Sequence, residues 1–204
     1  MAYTASSGFR FYRTLTGADK PHPIPVRIAN STTLRIGDLV RVNTSGFLVA
    51  AGDTGAVAGV LDGFANKDGI NPFSLGFSTA SGATMTGDDT VATASDNQTA
   101  TDDYIEGLII IDPAGDVLWL NDASGDLAQS NIFQYFDSTG SGRQVNQSSA
   151  SDANGQLQLI LWDPQGSSNV PANATTADAS KGAFRIAENQ YGLSLDSATA
   201  KVAA

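Results

Sequence analysis

His22 is the single histidine of a chain of 204 residues that contains no cysteine. It stands between Pro21 and Pro23 with no second histidine to complete a hydrolytic metal site, so it reads as a surface or turn residue. Carboxylates are the other reactive groups, 21 in all. A pair of them could act as the acid and base of an aspartate-dependent glycoside hydrolase. Only Glu106 and Glu188 are glutamates, however, and the aspartates fall mostly in turn contexts such as Gly37-Asp38, Gly52-Asp53, Gly87-Asp88-Asp89 and Gly125-Asp126. Turn formation accounts for that skew without catalysis. Asn121, Asp122, Ser124 and Asp126 supply oxygens that could hold calcium, yet they fail the EF-hand spacing and no bidentate glutamate follows, which favours an Asx turn. There is no nucleophile elbow, phosphate-binding loop or dinucleotide fingerprint, and Gly140-Ser141-Gly142 is too short a signal to count as one. No catalytic residue is assigned and no cofactor is expected. Asn30, Asn43, Asn97, Asn146 and Asn173 each begin an N-x-Ser/Thr triplet, expected by chance in a chain so rich in these residues.

The residues suited to binding lie at the start. Phe9-Arg10-Phe11-Tyr12-Arg13 alternates aromatic and basic side chains. A period of two places Phe9, Phe11 and Arg13 on one face and Arg10 and Tyr12 on the other. One reading is an extended arm that inserts aromatic anchors while its arginines find carboxylates; the other is a first strand covering its own core. Charge sharpens the first reading. Residues 1–41 carry six basic and two acidic side chains, whereas residues 42–204 carry five and nineteen. A basic leading segment on an acidic body can dock on an acidic surface, and the body's charge disfavours nucleic acid as the main partner. No run approaches the roughly 20 apolar residues of a membrane span, and the first residues lack the features of a signal peptide, so a soluble, cytoplasmically made product with no membrane partner is expected.

The elements that must position these residues are short strands. Pro21, Pro23 and Pro25 remove every donor along one edge of an extended segment, which can then pair on one side only. Residues 39–42, 47–49 and 56–61 are β-branched or aromatic runs separated by Asn43-Thr44-Ser45-Gly46 and Gly52-Asp53-Thr54-Gly55, the pattern of a compact antiparallel meander. Residues 66–104 are rich in Gly, Thr, Ser, Asn and Asp. Two strands are expected around Asp112-Pro113-Ala114-Gly115, a device repeated at Asp163-Pro164-Gln165-Gly166. Residues 126–136 offer one helical turn, 138–154 a mobile polar loop, 184–187 a final strand and 197–204 a tail of small residues. The fold expected is mainly β, a compact antiparallel barrel or sandwich-like domain with long loops and little helix. Residues 1–30 form an arm and edge segment, and residues 31–204 the β-rich domain, with a possible subdivision near 66–104. Without disulfides its core must suffice, unless subunits support each other.

The pattern Gly37-Asp38-Leu39-Val40, a turn ending in Gly46, Phe47-Leu48-Val49-Ala50-Ala51, Gly52-Asp53 and Ala58-Gly59-Val60-Leu61 resembles the small β domains of tailed-phage head decoration, or cement, proteins. The resemblance covers about residues 33–64. It implies a β-tulip-type domain on the capsid exterior of a virion assembled in the host cytoplasm. The major capsid protein would be its partner, and it would self-associate, as a homotrimer, to stabilise the shell. An extended N-terminal arm would contribute to the contact, and no catalytic residues carry over. This chain is longer than the minimal members and adds a second apolar block, residues 107–162. Two other readings stand beside it. One is a carbohydrate-binding or host-adhesion module using Trp119 and Trp162 as stacking platforms, against a plain core role for both rings. The other is the aspartate-dependent hydrolase.

Overall fold

The pairs Leu39-Val40, Val60-Leu61 and Ile109-Ile110 set two apolar residues side by side. Successive strand residues point to opposite faces, so such strands must be covered on both sides. The computed structural model describes residues 8–66, 84–86, 90–101, 104–140, 142–162 and 181–190. The strands are β1 (Arg10–Thr14), β2 (Ile24–Arg27), β3 (Thr33–Arg35), β4 (Leu39–Val42) and β5 (Leu48–Ala50). They continue as β6 (Gly59–Asn66), β7 (Thr84–Thr86), β8 (Thr90–Ala92), β9 (Ile105–Ile111) and β10 (Val117–Asp122). The last are β11 (Tyr135–Phe136), β12 (Ser138–Thr139), β13 (Gln144–Val145), β14 (Leu157–Trp162) and β15 (Lys181–Ile186).

A central five-stranded sheet, β2-β9-β6-β4-β5, is covered on one face by a second five-stranded sheet, β1-β10-β15-β14-β11. Its other face meets the three-stranded sheet β3-β8-β7. Leu39, Val60 and Ile110 enter the first core with Trp119, Phe136, Leu159 and Phe184. Their neighbours Val40, Leu61 and Ile109 enter the second with Ile28, Leu34, Phe64 and Val91. The pairing of the named strands is antiparallel throughout. An isolated parallel bridge, Ile28 to Leu48, brings the two edges of the central sheet together at one point, but no barrel closes among the described residues. The mainly β, sandwich-like fold expected from the sequence is therefore observed.

Several local expectations hold. The prolines precede and enter β2, which pairs only with β9 at a sheet edge. The β4–β5 reversal closes with the Asn43 N–H donating to the Phe47 carbonyl at 2.9 Å, and Asn43 Oδ1 accepts from the Ser45 and Phe47 N–H groups. Gly46 takes the positive φ of 84° that the turn requires. The strand at Phe184 is present and lies in the middle of its sheet.

Other expectations are corrected. The stretch 39–66 is not a simple meander, because β6 returns beside β4 and not β5. Leu39 and Val40 feed opposite cores, so β4 needs neighbours on both edges. The Asp112 turn does not make a hairpin: β9 belongs to the central sheet and β10 to the outer one. Asp112 accepts from the Asp116 N–H at 2.8 Å and the Val117 N–H at 3.0 Å, fixing this change of sheet. The helical turn shrinks to a 3-10 segment, Gln129–Asn131, with β11 close behind it. The segment expected to be a mobile loop, 138–154, contains the β12–β13 hairpin and a second 3-10 turn, Gln147–Ser149. Fully buried Gln156 holds it, accepting from the Ser138 N–H at 2.8 Å and its hydroxyl at 2.7 Å. The second Asp-Pro-x-Gly copy, the tail 197–204, Asn173 and much of 66–104 lie outside the described residues.

Candidate functional site

The aromatic and basic run is the edge strand of the outer sheet. Phe9 is 2% exposed in the first core, and Phe11 packs edge-on against Trp119 with ring centroids 6.3 Å apart and planes at 84°. The two phenylalanines thus cover the protein's own core, as the alternative reading of the run had it, and are not anchors held out for a partner. Register explains where the arginines go. Arg10 lies opposite Leu120 and Phe11 opposite Trp119, but a bulge at Tyr12 sets Arg13 opposite Leu118. Leu118 and Leu120 share a face, so Arg10 and Arg13 share it too, away from the inter-sheet core. This replaces the strict alternation that grouped Arg13 with Phe9 and Phe11, because a bulge adds one residue and flips the facing of those after it. Both arginines are exposed, and the Arg13 guanidinium lies 5.3 Å from the Tyr12 ring centroid.

The strand is fastened at both ends. The Phe9 N–H donates to the Gly37 carbonyl at 2.7 Å where Gly8 and Gly37 cross with positive φ angles of 71° and 90°. A Cβ on Gly8 would come within 2.9 Å of the Gly37 backbone, so the crossing admits only glycine. At the far end the Thr14 hydroxyl donates to the Ala18 carbonyl at 2.6 Å, and Asp116 accepts from the Thr16 N–H and hydroxyl. The chain after β1 folds back beside it and encloses a shallow groove of about 420 Å³ lined by Phe11, Tyr12, Leu15 and Ala18 among others.

The basic leading segment is not one continuous patch. Arg27 stacks 3.5 Å over the Tyr104 ring and donates to the Gln98 and Ala100 carbonyls. Lys20 pairs with Asp62 at 2.6 Å. Arg10, Arg13 and Arg41 remain exposed.

The four calcium candidates do not converge: Asn121 and Asp122 are consecutive in β10 and point to opposite faces. The Asn121 side-chain oxygen accepts from the Asp122 N–H at 2.6 Å, its amide donates to the Arg143 carbonyl, and the Ser124 hydroxyl oxygen accepts from the Gln147 N–H. Trp119, 1% exposed, cannot serve as a stacking platform, and Trp162 donates its indole N–H to the Leu127 carbonyl while packing on the core. His22 is exposed in the edge segment. Asn97 is fully buried, its amide donating to the Ile28 and Ile105 carbonyls and its oxygen accepting from the Ile105 N–H. Its triplet is therefore structural, and nothing in the sequence short of the fold announces that.

Three aspartates are perturbed, each within its own turn. Burial pushes Asp38 up to about 6, against the lowering effects of the Arg35 N–H and the Arg143 and Arg35 charges. Its Oδ1 lies 2.7 Å from Arg143 as an ion pair poorly aligned for hydrogen bonding, and its Oδ2 accepts from the Arg35 N–H. Burial also raises Asp112, with the nearby Asp116 charge adding to it, and raises Asp137, where Glu188 adds. Turn formation and packing, and not a shared reaction centre, engage Asp38 and Asp112. In comparisons with protein-family models, curated proteins and solved structures, nothing matches the chain.

Proposed function

We propose that the protein is a virion structural component that binds the outer surface of a phage capsid, contacts the major capsid protein and stabilises the shell. The observation that carries the reading is the placement of Arg10 and Arg13 on one exposed face of an edge strand whose phenylalanines are locked into the core. A rigid strand presents paired guanidiniums without the ordering cost that a free arm would incur on binding. The body behind it is strongly acidic, so the molecule meets an acidic lattice through this face alone and orients itself as it docks. Many copies on a repeating surface multiply a modest single-site affinity, which suits a scaffold. The contact residues are then Arg10, Tyr12 and Arg13, with Phe9 and Phe11 in support.

The test is cosedimentation of purified protein with purified shells. Wild type is expected to pellet with the shells, and R10E/R13E to stay in the supernatant while melting at the wild-type temperature. Equal pelleting of that double variant would overturn the assignment of this face. Exposed pairs are screened beyond roughly 8 Å in physiological salt, so attachment of the wild type is expected to weaken as salt rises.

A further inference from the structure

Phe133 breaks two rules at once. It is a bulky residue with a positive φ of 72°, and its side chain is 66% exposed. Left-handed backbone costs an ordinary residue on the order of 1–2 kcal/mol, so it persists only where the surroundings enforce it. Here they do. The Phe133 N–H donates to the Leu159 carbonyl at 2.8 Å, and its carbonyl accepts from Gln158 Nε2 at 2.8 Å. Gln158 is itself buried and held by Arg185, whose Nε donates to Gln158 Oε1 at 2.8 Å. Both backbone groups are thus clamped to β14, and the ring is aimed outward with little freedom to fold down. An exposed aromatic on a rigid mount is the form an interface anchor takes.

The groove beside β1 has the complementary form. It is roomier than one phenyl ring, and Phe11, Tyr12, Leu15 and Ala18 give it apolar walls, with Leu15 48% exposed at its rim. Ring and groove lie at opposite edges of the same outer sheet, beyond β11 and β1 respectively. Four inter-strand steps of about 4.8 Å separate those edges, so one molecule cannot bring its ring to its own groove. Charge matches as well. Residues 126–142 contain Asp126 and Asp137 and no basic residue, and the Asp152 carboxylate accepts from Gln134 beside the ring. The groove is bordered by Arg13 and Lys20, with Asp19 the one acid among its walls.

We propose that Phe133 anchors a head-to-tail contact between copies of this chain, its ring seated in the groove beside β1 of the next copy. Such a contact is heterologous: each copy offers one ring and one groove, so the array grows until it closes into a ring or continues as a filament. The contact does not depend on capsid binding, because it is a property of the protein alone.

The experiment is sedimentation velocity of the purified full chain over a concentration range of about 1 µM to 1 mM. Wild type is expected to associate. F133N, which removes the ring and suits left-handed backbone, is expected to melt no lower than wild type and to associate at least about 30-fold more weakly, the loss typical of a removed anchor. A18W, on the exposed wall of the groove, is expected to block the other half. Each variant alone is expected to be monomeric, yet their mixture is expected to give a one-to-one dimer, since A18W keeps its ring and F133N its groove. A monomeric wild type, a variant that associates like wild type, or a mixture that stays monomeric would each overturn the proposal. So would wild-type protein that needs Phe133 to pellet with shells but never self-associates, since the ring would then belong to the shell contact.

Discussion

Replacing Phe9 by alanine separates a strand built into the core from an arm held out for a partner. Phe9 is 2% exposed and packs in the same core as Trp119, Phe136 and Phe184, so truncation removes a buried ring and leaves a cavity between two sheets. Buried Phe-to-Ala changes cost about 3–5 kcal/mol. A domain of this size has on the order of 5–15 kcal/mol in total, so F9A should forfeit a large fraction of its stability. Phe11 is only partly buried, but F11A also removes the edge-on contact with Trp119, and such aromatic pairs contribute about 0.5–1.5 kcal/mol beyond burial. Urea unfolding followed by tryptophan fluorescence measures both. The midpoint should fall most for F9A and less for F11A, with the slope unchanged, while R10A/R13A stays within about 0.5 kcal/mol of wild type. An F9A variant as stable as wild type would refute the assignment of this strand to the core. Deleting residues 1–13 removes both rings and the edge strand together, and should destroy the fold. That truncation therefore cannot serve as a binding-deficient but intact protein, a use that a free arm would have allowed.

Two further perturbations concern buried polar groups. Because the folded-state carboxyl of Asp38 is raised to about 6 from 3.8, the native state holds its proton more tightly than the unfolded chain. The stability this contributes is present below about pH 4 and is lost as pH rises through 6, a change on the order of 3 kcal/mol. Unfolding midpoints measured from pH 4 to 7 should show that decline from Asp38, and R143A should deepen it by stranding a buried charge. N97A leaves the Ile28 and Ile105 backbone groups without their side-chain partner and should cost at least about 2 kcal/mol, read as a lowered melting temperature.

What the sequence discloses here is what short-range chemistry decides. Asn43 and Gly46 make their reversal from within five residues, and the prolines around His22 forbid a second neighbour for β2 wherever it lands. Leu39-Val40 and Ile109-Ile110 announce strands covered on both faces, though not which layers cover them. The rest depends on partners far along the chain. Phe9 and Phe11 read equally well as anchors or core until β1 is seen paired with β10, more than 100 residues away. The bulge at Tyr12, which regroups the arginines, has no signature in Phe9-Arg10-Phe11-Tyr12-Arg13 itself. Likewise Phe133 sits in a stretch that suggests a helical turn, and only its bonds to Leu159 and Gln158 turn the ring outward. The Asp112 turn looks like a hairpin because its local hydrogen bonds are those of a tight reversal; that it joins two sheets is settled by which residues flank it in space.

Imaging of purified virions by electron cryomicroscopy tests the structural role most directly. Density for this domain is expected on the outer shell surface, with the Arg10 and Arg13 face turned toward the major capsid protein. Particles devoid of the protein, or density in which that face points to solvent, would contradict it.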